Sequence, residues 1–309
     1  MKKLTLLTLL ITCLGLTFCA TPKHAKGFLF EVKSQNGNQK IFIFGTAHKF
    51  LSASYVPTNT VKRVFENAEI FVMEGNGANK VDVDYLMYAN GENIENHINV
   101  PAAQKLDAYL NVLNANEAQK KLIKKMKPIT AYSTYAVFLP AIASADRTQI
   151  RNEPPVTEGL DSQLLKDAER LKKKTEYLET SYEYIDVWKK SCNTIEKNSA
   201  LISSLLDMLN IKDQALREAG SVIEPLIEGN FGLFEKKYLL FGADMASEQL
   251  YHECSVLPRN LAWMEKITSY VVSGKSAFVA VGAAHLVGGG GLVDLMRKKG
   301  FQVTLLPQD

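Results

Sequence analysis

The chain has 309 residues, of which 46% are hydrophobic and 22% charged, so it is long enough to bury the core of one large domain or two small ones. Its formal net charge is only +3, and two of the positive charges, Lys2 and Lys3, lie in an N-terminal segment that we expect to be removed. The charge balance therefore gives no support to a nucleic-acid or membrane-surface partner.

The first 19 residues, MKKLTLLTLLITCLGLTFC, join two lysines to an uncharged apolar run. The run is too short and too close to the N-terminus for a typical transmembrane helix, and the pattern predicts a secretory signal peptide at 1–19. We expect cleavage after Cys19 and a mature chain of residues 20–309 in the periplasm or outside the cell, without stable membrane insertion. Lipoprotein anchoring at Cys19 is the less favoured alternative, because bulky Phe18 precedes it.

The predicted mature chain keeps two cysteines, Cys192 and Cys254. An even pair in an exported protein permits one disulfide. Two buried free thiols are an equally open alternative, because the spacing in the sequence says nothing about the distance between the sulfur atoms.

The first predicted elements surround a Gly-x-x-His motif. An apolar strand, IFIF, runs into Gly45-Thr46-Ala47-His48. Thr58 and Asn59 are candidate N-caps for a helix over about 61–67, and EIFVMEG then predicts a second strand that carries Glu74 near its end. We expect this second strand to lie beside the strand that precedes His48.

The middle of the chain has a helical pattern. Apolar residues at intervals of three and four predict one helix over 102–128, ending at Pro128. Its five lysines between Lys120 and Lys127 are most simply a solvated face, with a polyanion site as the alternative. A second helix is predicted in GLDSQLLKDAERLKKK, capped by Asp161 or Ser162, and is followed by a short strand, TEYLET, that ends at Glu179 and Thr180.

From Ser181 to about Val272 the pattern is again helical, with interruptions expected at Gly229-Asn230 and Pro258. The last elements repeat the order of the first. SAFVAVGAAH predicts a strand that runs into Gly282-Ala283-Ala284-His285, and a glycine run, a helix and the strand FQVTLL follow.

The repeated order predicts two half-sheets built alike, whose Gly-x-x-His motifs meet at one edge. The fold class is therefore predicted to be α/β, with a mixed sheet built from both chain ends and a helical middle. Strand–turn–helix–strand is also a common arrangement in α/β proteins, so the repeat can arise by chance.

His48, His285 and Glu74 are the candidate site residues, because each follows or ends an apolar strand where α/β sites form. Two imidazoles and a carboxylate supply two nitrogens and an oxygen to a divalent metal ion. The alternatives are that each histidine is a hydrogen-bonded structural residue and that Glu74 extends into solvent. No G-x-S-x-G motif is present, so a serine hydrolase of that type has little support.

Six segments in order resemble the TraB/GumN family, to which the TIKI-type metalloproteases are similar. The segments are the two Gly-x-x-His motifs, AEIFVMEG, GLDSQLLKDAERLKKKTEYLET, RNLAWMEKI and GLVDLMRKKGFQVTLL. The resemblance implies a single TraB/GumN-like domain over 20–309 with an EreA/ChaN-like (TIKI-like) α/β fold. It also implies metal-dependent peptide hydrolysis in the cell envelope, with manganese or cobalt favoured, zinc possible and a peptide or protein as substrate.

Carried over to this sequence, the resemblance implies metal ligation by His48, His285 and Glu74 and catalytic roles for Glu74 and Arg259. Arg259 is otherwise interpreted as one of many exposed arginines at a helix start. Glu179 is otherwise a solvated strand-end residue, but as the acid of Leu-Glu-Thr it is a supporting catalytic candidate that orients a histidine. The alternative functions are a non-catalytic haem-, metal- or peptide-binding regulatory protein and a metal-independent, esterase-like hydrolase.

Overall fold

The computed structural model describes residues 23–37, 39–47, 49–50, 55–75, 83–89, 91–133, 157–210, 221–244 and 246–309. The described strands come from both ends of the chain and from its centre: β1 Lys23–Ala25, β2 Phe28–Lys33, β3 Lys40–Thr46, β4 Lys49–Phe50, β5 Tyr55–Pro57, β6 Ile70–Gly75, β7 Thr157–Glu158, β8 Lys174–Glu179, β9 Ala277–Gly282 and β10 Gln302–Leu305.

Six of these strands form the central sheet, in the order β10-β2-β3-β9-β6-β8. β2 is antiparallel to β10 and β3, whereas the other neighbouring pairs are parallel. The predicted mixed sheet, with strands from both chain ends, is therefore confirmed. β3 and β9 are direct neighbours, and Thr46 lies opposite Gly282, so the two Gly-x-x-His motifs leave the sheet side by side.

Apolar residues fill the middle of the sheet on both faces. Every residue of β9 is buried, and so are Ile41, Ile43 and Phe44 of β3. Continuous apolar runs of this kind are typical of parallel strands covered on both faces by helices. Phe65 of the first helix contacts Phe71 and Phe278 edge to face, with ring centroids 5.2 and 5.5 Å apart.

Two small two-stranded sheets lie apart from the central sheet. β1 pairs in parallel with β5, and β4 pairs with β7 in antiparallel fashion, with Lys49 opposite Glu158. The backbone N–H of Leu160 donates to the carbonyl of Ala47 at 3.3 Å. The chain on either side of His48 is therefore held against the segment at 157–160, while His48 itself lies outside the described residues.

The helices occupy the middle of the chain and the crossovers: α1 Asn59–Asn67, α2 Val83–Leu86, α3 Val100–Val112, α4 Glu117–Lys125, α5 Leu160–Arg170, α6 Ser181–Cys192, α7 Ile195–Asn210, α8 Phe231–Asp244, α9 Ala246–Tyr251, α10 Leu257–Val272 and α11 Leu292–Lys298. Further helical segments lie at 128–133 and 221–228, and a π-helical turn, His252–Val256, connects α9 to α10. The predicted helical middle is thus confirmed, as is the cap of α1, where the Thr58 side chain accepts a hydrogen bond from Val61 N–H.

The apolar residues form two clusters. One surrounds the sheet, and the other lies within the helical middle, where Tyr109 and Trp188 are fully buried. Cys192 and Cys254 belong to the second cluster and form a disulfide, with their Cα atoms 5.5 Å apart. Of the two interpretations that the spacing left open, the disulfide is the one found. The prediction of a single domain over 20–309 stays a prediction.

The prediction of one long helix over 102–128 is wrong. The chain breaks after α3, because Asn114 adopts a left-handed conformation with φ 52°, and Asn116 caps α4 through a reciprocal bond with Gln119. The lysine face is not uniformly solvated either. Lys124 bonds Glu95 and Asp107, and Lys127 is only 9% exposed and donates to the carbonyl of Tyr85.

Two other helix boundaries also differ from their predictions. α5 begins at Leu160 after Gly159, so Asp161 and Ser162 lie inside it rather than at its cap. Pro258 does not interrupt the helix, because it lies in the first turn of α10, where its missing N–H costs no hydrogen bond. The predicted interruption at Gly229-Asn230 is confirmed, and the helical chain also breaks between α6 and α7.

Gly45 permits close packing between β3 and the 3-10 turn Ala283–Leu286. A Cβ at this position would lie 2.5 Å from Leu286 Cδ1 and 3.3 Å from Phe28 Cδ2. Both neighbours are buried and have little room to shift. We expect Gly45→Ala to lower the free energy of unfolding by about 1–3 kcal/mol, measured by urea denaturation.

Gly232 in α8 is a matched control, since a Cβ there would meet no atom within 4 Å. Gly232→Ala is expected to leave stability unchanged or to raise it by up to about 1 kcal/mol. Equal stability of the two variants would contradict the packing argument at Gly45.

None of the helices in the described part of the chain combines the length and apolar character needed to cross a membrane.

Candidate functional site

Four of the five predicted site residues meet at the carboxyl edge of the central sheet. Glu74 lies near the end of β6, Glu179 ends β8, and His285 lies in the 3-10 turn directly after β9. Arg259 approaches from the first turn of α10. The fifth residue, His48, lies outside the described residues.

The order of strands at this edge differs from the expected one. β9 lies between β3 and β6, so the strand of Glu74 neighbours the strand before His285 and not the strand before His48. Every residue of β9 is buried, as is typical of a central parallel strand.

Arg259 contacts the other three described residues of the site, Glu74, Glu179 and His285. Its Nε donates to both carboxylate oxygens of Glu179, at 2.8 and 3.1 Å, and its Nη2 donates to Glu74 Oε2 at 2.9 Å. Burial opposes the charge of this guanidinium, but Glu179 and Glu74 together raise the pKa of Arg259 above its usual range. The side chain is only 9% exposed, so the interpretation of Arg259 as an exposed surface residue is wrong.

Glu179 is also buried, and the interpretation of it as a solvated residue is wrong. Besides the Arg259 bonds, Glu179 Oε2 accepts a hydrogen bond from Trp263 Nε1 at 3.0 Å. Burial raises the pKa of Glu179, although Arg259 and the Trp263 bond oppose the rise. Arg259 lies between Glu179 and His285 and contacts both side chains. The prediction that Glu179 orients a histidine stays a prediction.

His285 is 4% exposed and is oriented by Asn260. The Asn260 amide nitrogen donates to the carbonyls of His285 and Gly290, at 3.1 and 3.0 Å, so its Oδ1 must be the acceptor. This oxygen lies 2.6 Å from His285 Nδ1, which therefore carries a proton. In the neutral imidazole Nε2 is then the unprotonated nitrogen, and it accepts a hydrogen bond from Arg259 Nη1 at 3.2 Å.

Comparison with protein-family models gives one match. The model described as the TraB/PrgY/gumN family matches residues 28–305. The chain belongs to the TraB/PrgY/gumN family. The matched range runs from the first residue of β2 to the last residue of β10, so it includes the whole central sheet and the four clustered residues of this family member. Searches of curated proteins and of solved structures gave no match.

Aromatic rings enclose the charged groups of this TraB/PrgY/gumN protein. The Arg259 guanidinium lies over the rings of Trp263 and Tyr184, 4.6 and 5.1 Å from their centroids. The Trp263 ring also lies 4.5 Å from the His285 ring. These rings exclude water from one side of the cluster and strengthen the charge interactions within it.

The donor atoms of the cluster fit part of a metal site. His285 Nε2 and Glu74 Oε1 are 3.7 Å apart, a separation that two ligands of one ion can adopt. Glu74 Oε1 also accepts a hydrogen bond from the Gly282 N–H. The described part of the chain contains no group of three or more His, Cys, Asp or Glu residues arranged to hold a metal ion.

Asn260 belongs to the cluster but was not singled out from the sequence. It is fully buried and occupies the position after Arg259. The Arg-Asn pair begins RNLAWMEKI, one of the segments that carried the family resemblance. Its place in that segment was the signal that could have identified Asn260. One turn of α10 thus supplies both the cation that contacts His285 Nε2 and the amide that holds His285 Nδ1.

The Asn260 contacts predict the tautomer of His285. In the metal-free protein at neutral pH we expect a proton on Nδ1 and none on Nε2, because Nδ1 lies 2.6 Å from the Asn260 acceptor while Nε2 lies 3.2 Å from the Arg259 Nη1 donor. Two-bond proton–nitrogen correlation spectra of histidine-labelled protein distinguish the two nitrogens. Asn260→Ala should give a mixture of tautomers, whereas a proton on Nε2 in the wild-type protein would contradict the assignment.

Proposed function

We propose that this TraB/PrgY/gumN protein is a peptide hydrolase that uses a divalent metal ion held by His285, Glu74 and His48. The observation that carries the proposal is the convergence of three groups at one sheet edge. Glu74 Oε1 lies 3.7 Å and Arg259 Nη1 lies 3.2 Å from His285 Nε2. A nitrogen donor, an oxygen donor and a permanent cation at one place are groups that hydrolysis of a carbonyl compound requires.

The charge of the cluster supports a cationic ligand. Two carboxylates, Glu74 and Glu179, face one guanidinium, so the cluster has one negative charge in excess when both carboxylates are ionised. An uncompensated buried charge is costly, and a bound cation offsets it. Imidazole and carboxylate donors suit manganese, cobalt and zinc, and as in the sequence analysis we favour manganese or cobalt.

When bound, the metal ion supplies Lewis acidity for activating water and polarising a carbonyl group. The residues of the chain provide the rest. Asn260 holds the His285 ring so that Nε2 faces Glu74 and Arg259. Glu74 either binds the ion or carries the proton to the leaving amine.

Arg259 stabilises negative charge on the substrate. Its Nη1 and Nη2 contact His285 and Glu74, while its Nε and Nη2 remain fixed by Glu179. A guanidinium held in this way offsets the charge of the oxyanion that forms on the attacked carbonyl without a further change of position. Glu179 and Trp263 are positioning residues in this proposal, because they contact Arg259 and not the substrate.

The second candidate function is hydrolysis without a metal, with His285 as general base. Its specific support is that Asn260 Oδ1 holds the proton on His285 Nδ1, which leaves the lone pair of Nε2 as the basic position of the ring. A histidine held by an asparagine at Nδ1 and unprotonated at Nε2 has the protonation state that a general base requires.

We also propose that the protein is exported and acts in the periplasm or outside the cell on a peptide or protein. The signal-like sequence at 1–19 lies outside the described residues. The Cys192–Cys254 disulfide supports export, because structural disulfides persist mainly in oxidising compartments.

The test combines metal analysis with peptide cleavage. Purified mature protein is loaded with manganese, cobalt or zinc, its metal content is measured, and its activity is assayed on an unbiased peptide library. We expect about one ion per chain, cleavage that a chelator abolishes, and a loss of both in a His48→Ala, His285→Ala double variant, with activity lowered on the order of 10³-fold.

A His24→Ala variant is the matched control, since His24 is exposed on β1, which pairs with β5 and not with the central sheet. It should retain metal and activity. Cleavage that withstands the chelator but is lost with His285 would overturn metal dependence and favour the second candidate. A wild-type protein that binds no metal and cleaves no peptide with any of the ions would overturn both.

A further inference from the structure

A second buried carboxylate lies on the same helical run as Arg259. Glu248, in α9, accepts a hydrogen bond from the hydroxyl of Tyr132 at 2.6 Å. Tyr132 belongs to the helical segment at 128–133 and is fully buried. The residue Glu248 as a whole is partly exposed, although its carboxylate group is buried.

Two further tyrosines lie close to Glu248. The Tyr251 ring is 5.2 Å from the Tyr132 ring, centroid to centroid. Burial and the charge of Glu248 both raise the pKa of Tyr238, which places this phenol within electrostatic reach of the carboxylate. Like Glu248, Tyr238 and Tyr251 are partly exposed.

The carboxylate has no cationic partner in the described part of the chain. Burial raises the pKa of Glu248, and the only opposing contribution is the Tyr132 hydrogen bond, with no lysine or arginine among the causes. His252 does not supply a charge, because burial lowers the pKa of its imidazole despite the nearby Glu253. Buried carboxylates are normally paired, so this one is suited to a cation from outside.

The cluster is continuous with the candidate active site. Burial and Tyr184 raise the pKa of Tyr251, whereas the positive charge of Arg259 opposes the rise. Tyr251 therefore lies within electrostatic reach of Arg259 on one side and contacts Tyr132 on the other. The helical rise from Glu248 to Arg259 is about 15 Å, the span of four or five extended peptide residues.

We propose that Glu248, Tyr132, Tyr238 and Tyr251 form a subsite for a cationic group of the peptide substrate. The ligand is a primary ammonium or guanidinium, supplied by a basic side chain or by the free amino terminus. The Glu248 carboxylate accepts its charge-assisted hydrogen bonds, and the phenol rings provide the aromatic surface that cations favour. The inference rests on the proposed function in that a peptide is the substrate.

The test measures binding rather than cleavage, so that it is independent of catalysis. Three tripeptide amides are titrated calorimetrically into metal-free mature protein: acetyl-lysyl-alanyl-alanine amide, its norleucine analogue, and the norleucine analogue with a free amino terminus. We expect the lysyl peptide, the free-amine peptide or both to bind about tenfold more tightly than the neutral peptide. Comparison of the two cationic peptides identifies the source of the charge.

Glu248→Gln removes the charge and retains an oxygen that can accept the Tyr132 hydrogen bond, so the variant should fold. It should bind all three peptides equally, at the affinity of the neutral one. Glu253→Gln is the matched control, because Glu253 is exposed on the neighbouring turn, and it should keep the tenfold preference.

A wild-type protein without preference for the cationic peptides would overturn the proposal, and so would a Glu248→Gln variant that keeps the preference. Absence of hydrolysis would leave these binding results unchanged. A failure of the subsite and a failure of the proposed peptide hydrolysis can therefore be told apart.

Discussion

Replacement of Arg259 by methionine is expected to lower the free energy of unfolding by about 3–5 kcal/mol. Methionine fills most of the volume but leaves Glu74 and Glu179 without the guanidinium that both contact. Glu179 is 7% exposed, so water can offset little of its charge. The loss of a partner to two buried carboxylates is among the few mechanisms that produce effects of this size.

Urea denaturation at neutral pH measures the effect, with Arg170→Met as the control. Arg170 forms an ion pair with Asp167 on the surface of α5 and is 62% exposed, so its replacement should change stability by less than about 1 kcal/mol. Combining Arg259→Met with Glu179→Gln should recover part of the lost stability, because the buried Glu179 carboxylate, which no longer has a cationic partner, is removed. Additive effects of the two substitutions would contradict the coupling between these residues.

The sequence predicted the strands of the site because their signals are local. IFIF before Gly45 and AFVAV before Gly282 are short apolar runs that end in a glycine, and both form central strands of one sheet. The position of Glu74 near the end of an apolar strand was predicted by the same argument, and the structure brings it to the edge where His285 lies.

The order of the strands was not predictable from these signals. Strand neighbours are set by how crossovers pack, and the sequence gives no local cue that β9 separates β3 from β6. β2 was missed for a related reason. FLFEVK lies on the antiparallel side of the sheet, between β3, which follows it in the chain, and β10, with which its pairing depends on long-range contacts.

The burial of Arg259 and Glu179 could not be predicted from the sequence either. Each residue has an ordinary surface interpretation on its own, at a helix start and a strand end. Their burial depends on each other and on Trp263, since a charged side chain is rarely buried without a partner. Such a partnership across 80 positions has no local pattern. Asn260 was missed in the same way, because its role requires His285 and Gly290 to come close.

Loss of the Cys192–Cys254 disulfide is expected to lower the free energy of unfolding by about 4 kcal/mol. The two cysteines are 62 positions apart, and a crosslink across a loop of this length removes a corresponding amount of conformational entropy from the unfolded chain. Denaturation of the oxidised protein and of protein held in excess reductant measures the difference. The Cys192→Ala, Cys254→Ala double variant is the control, because its stability should not respond to reductant.

The same bond should also protect the candidate site. Cys192 ends α6, whose first residue follows Glu179 by two positions, and Cys254 lies in the π-helical turn that leads directly into α10 and Arg259. The disulfide thus joins the helix that follows the strand of Glu179 to the turn that precedes the helix of Arg259. Reduction is expected to speed amide hydrogen exchange in the first turn of α10 and in α6 more than in β9, which is held on both sides by β3 and β6. Equal acceleration in all three elements would mean that the bond stabilises the fold only through the unfolded state and does not hold Arg259 against Glu179.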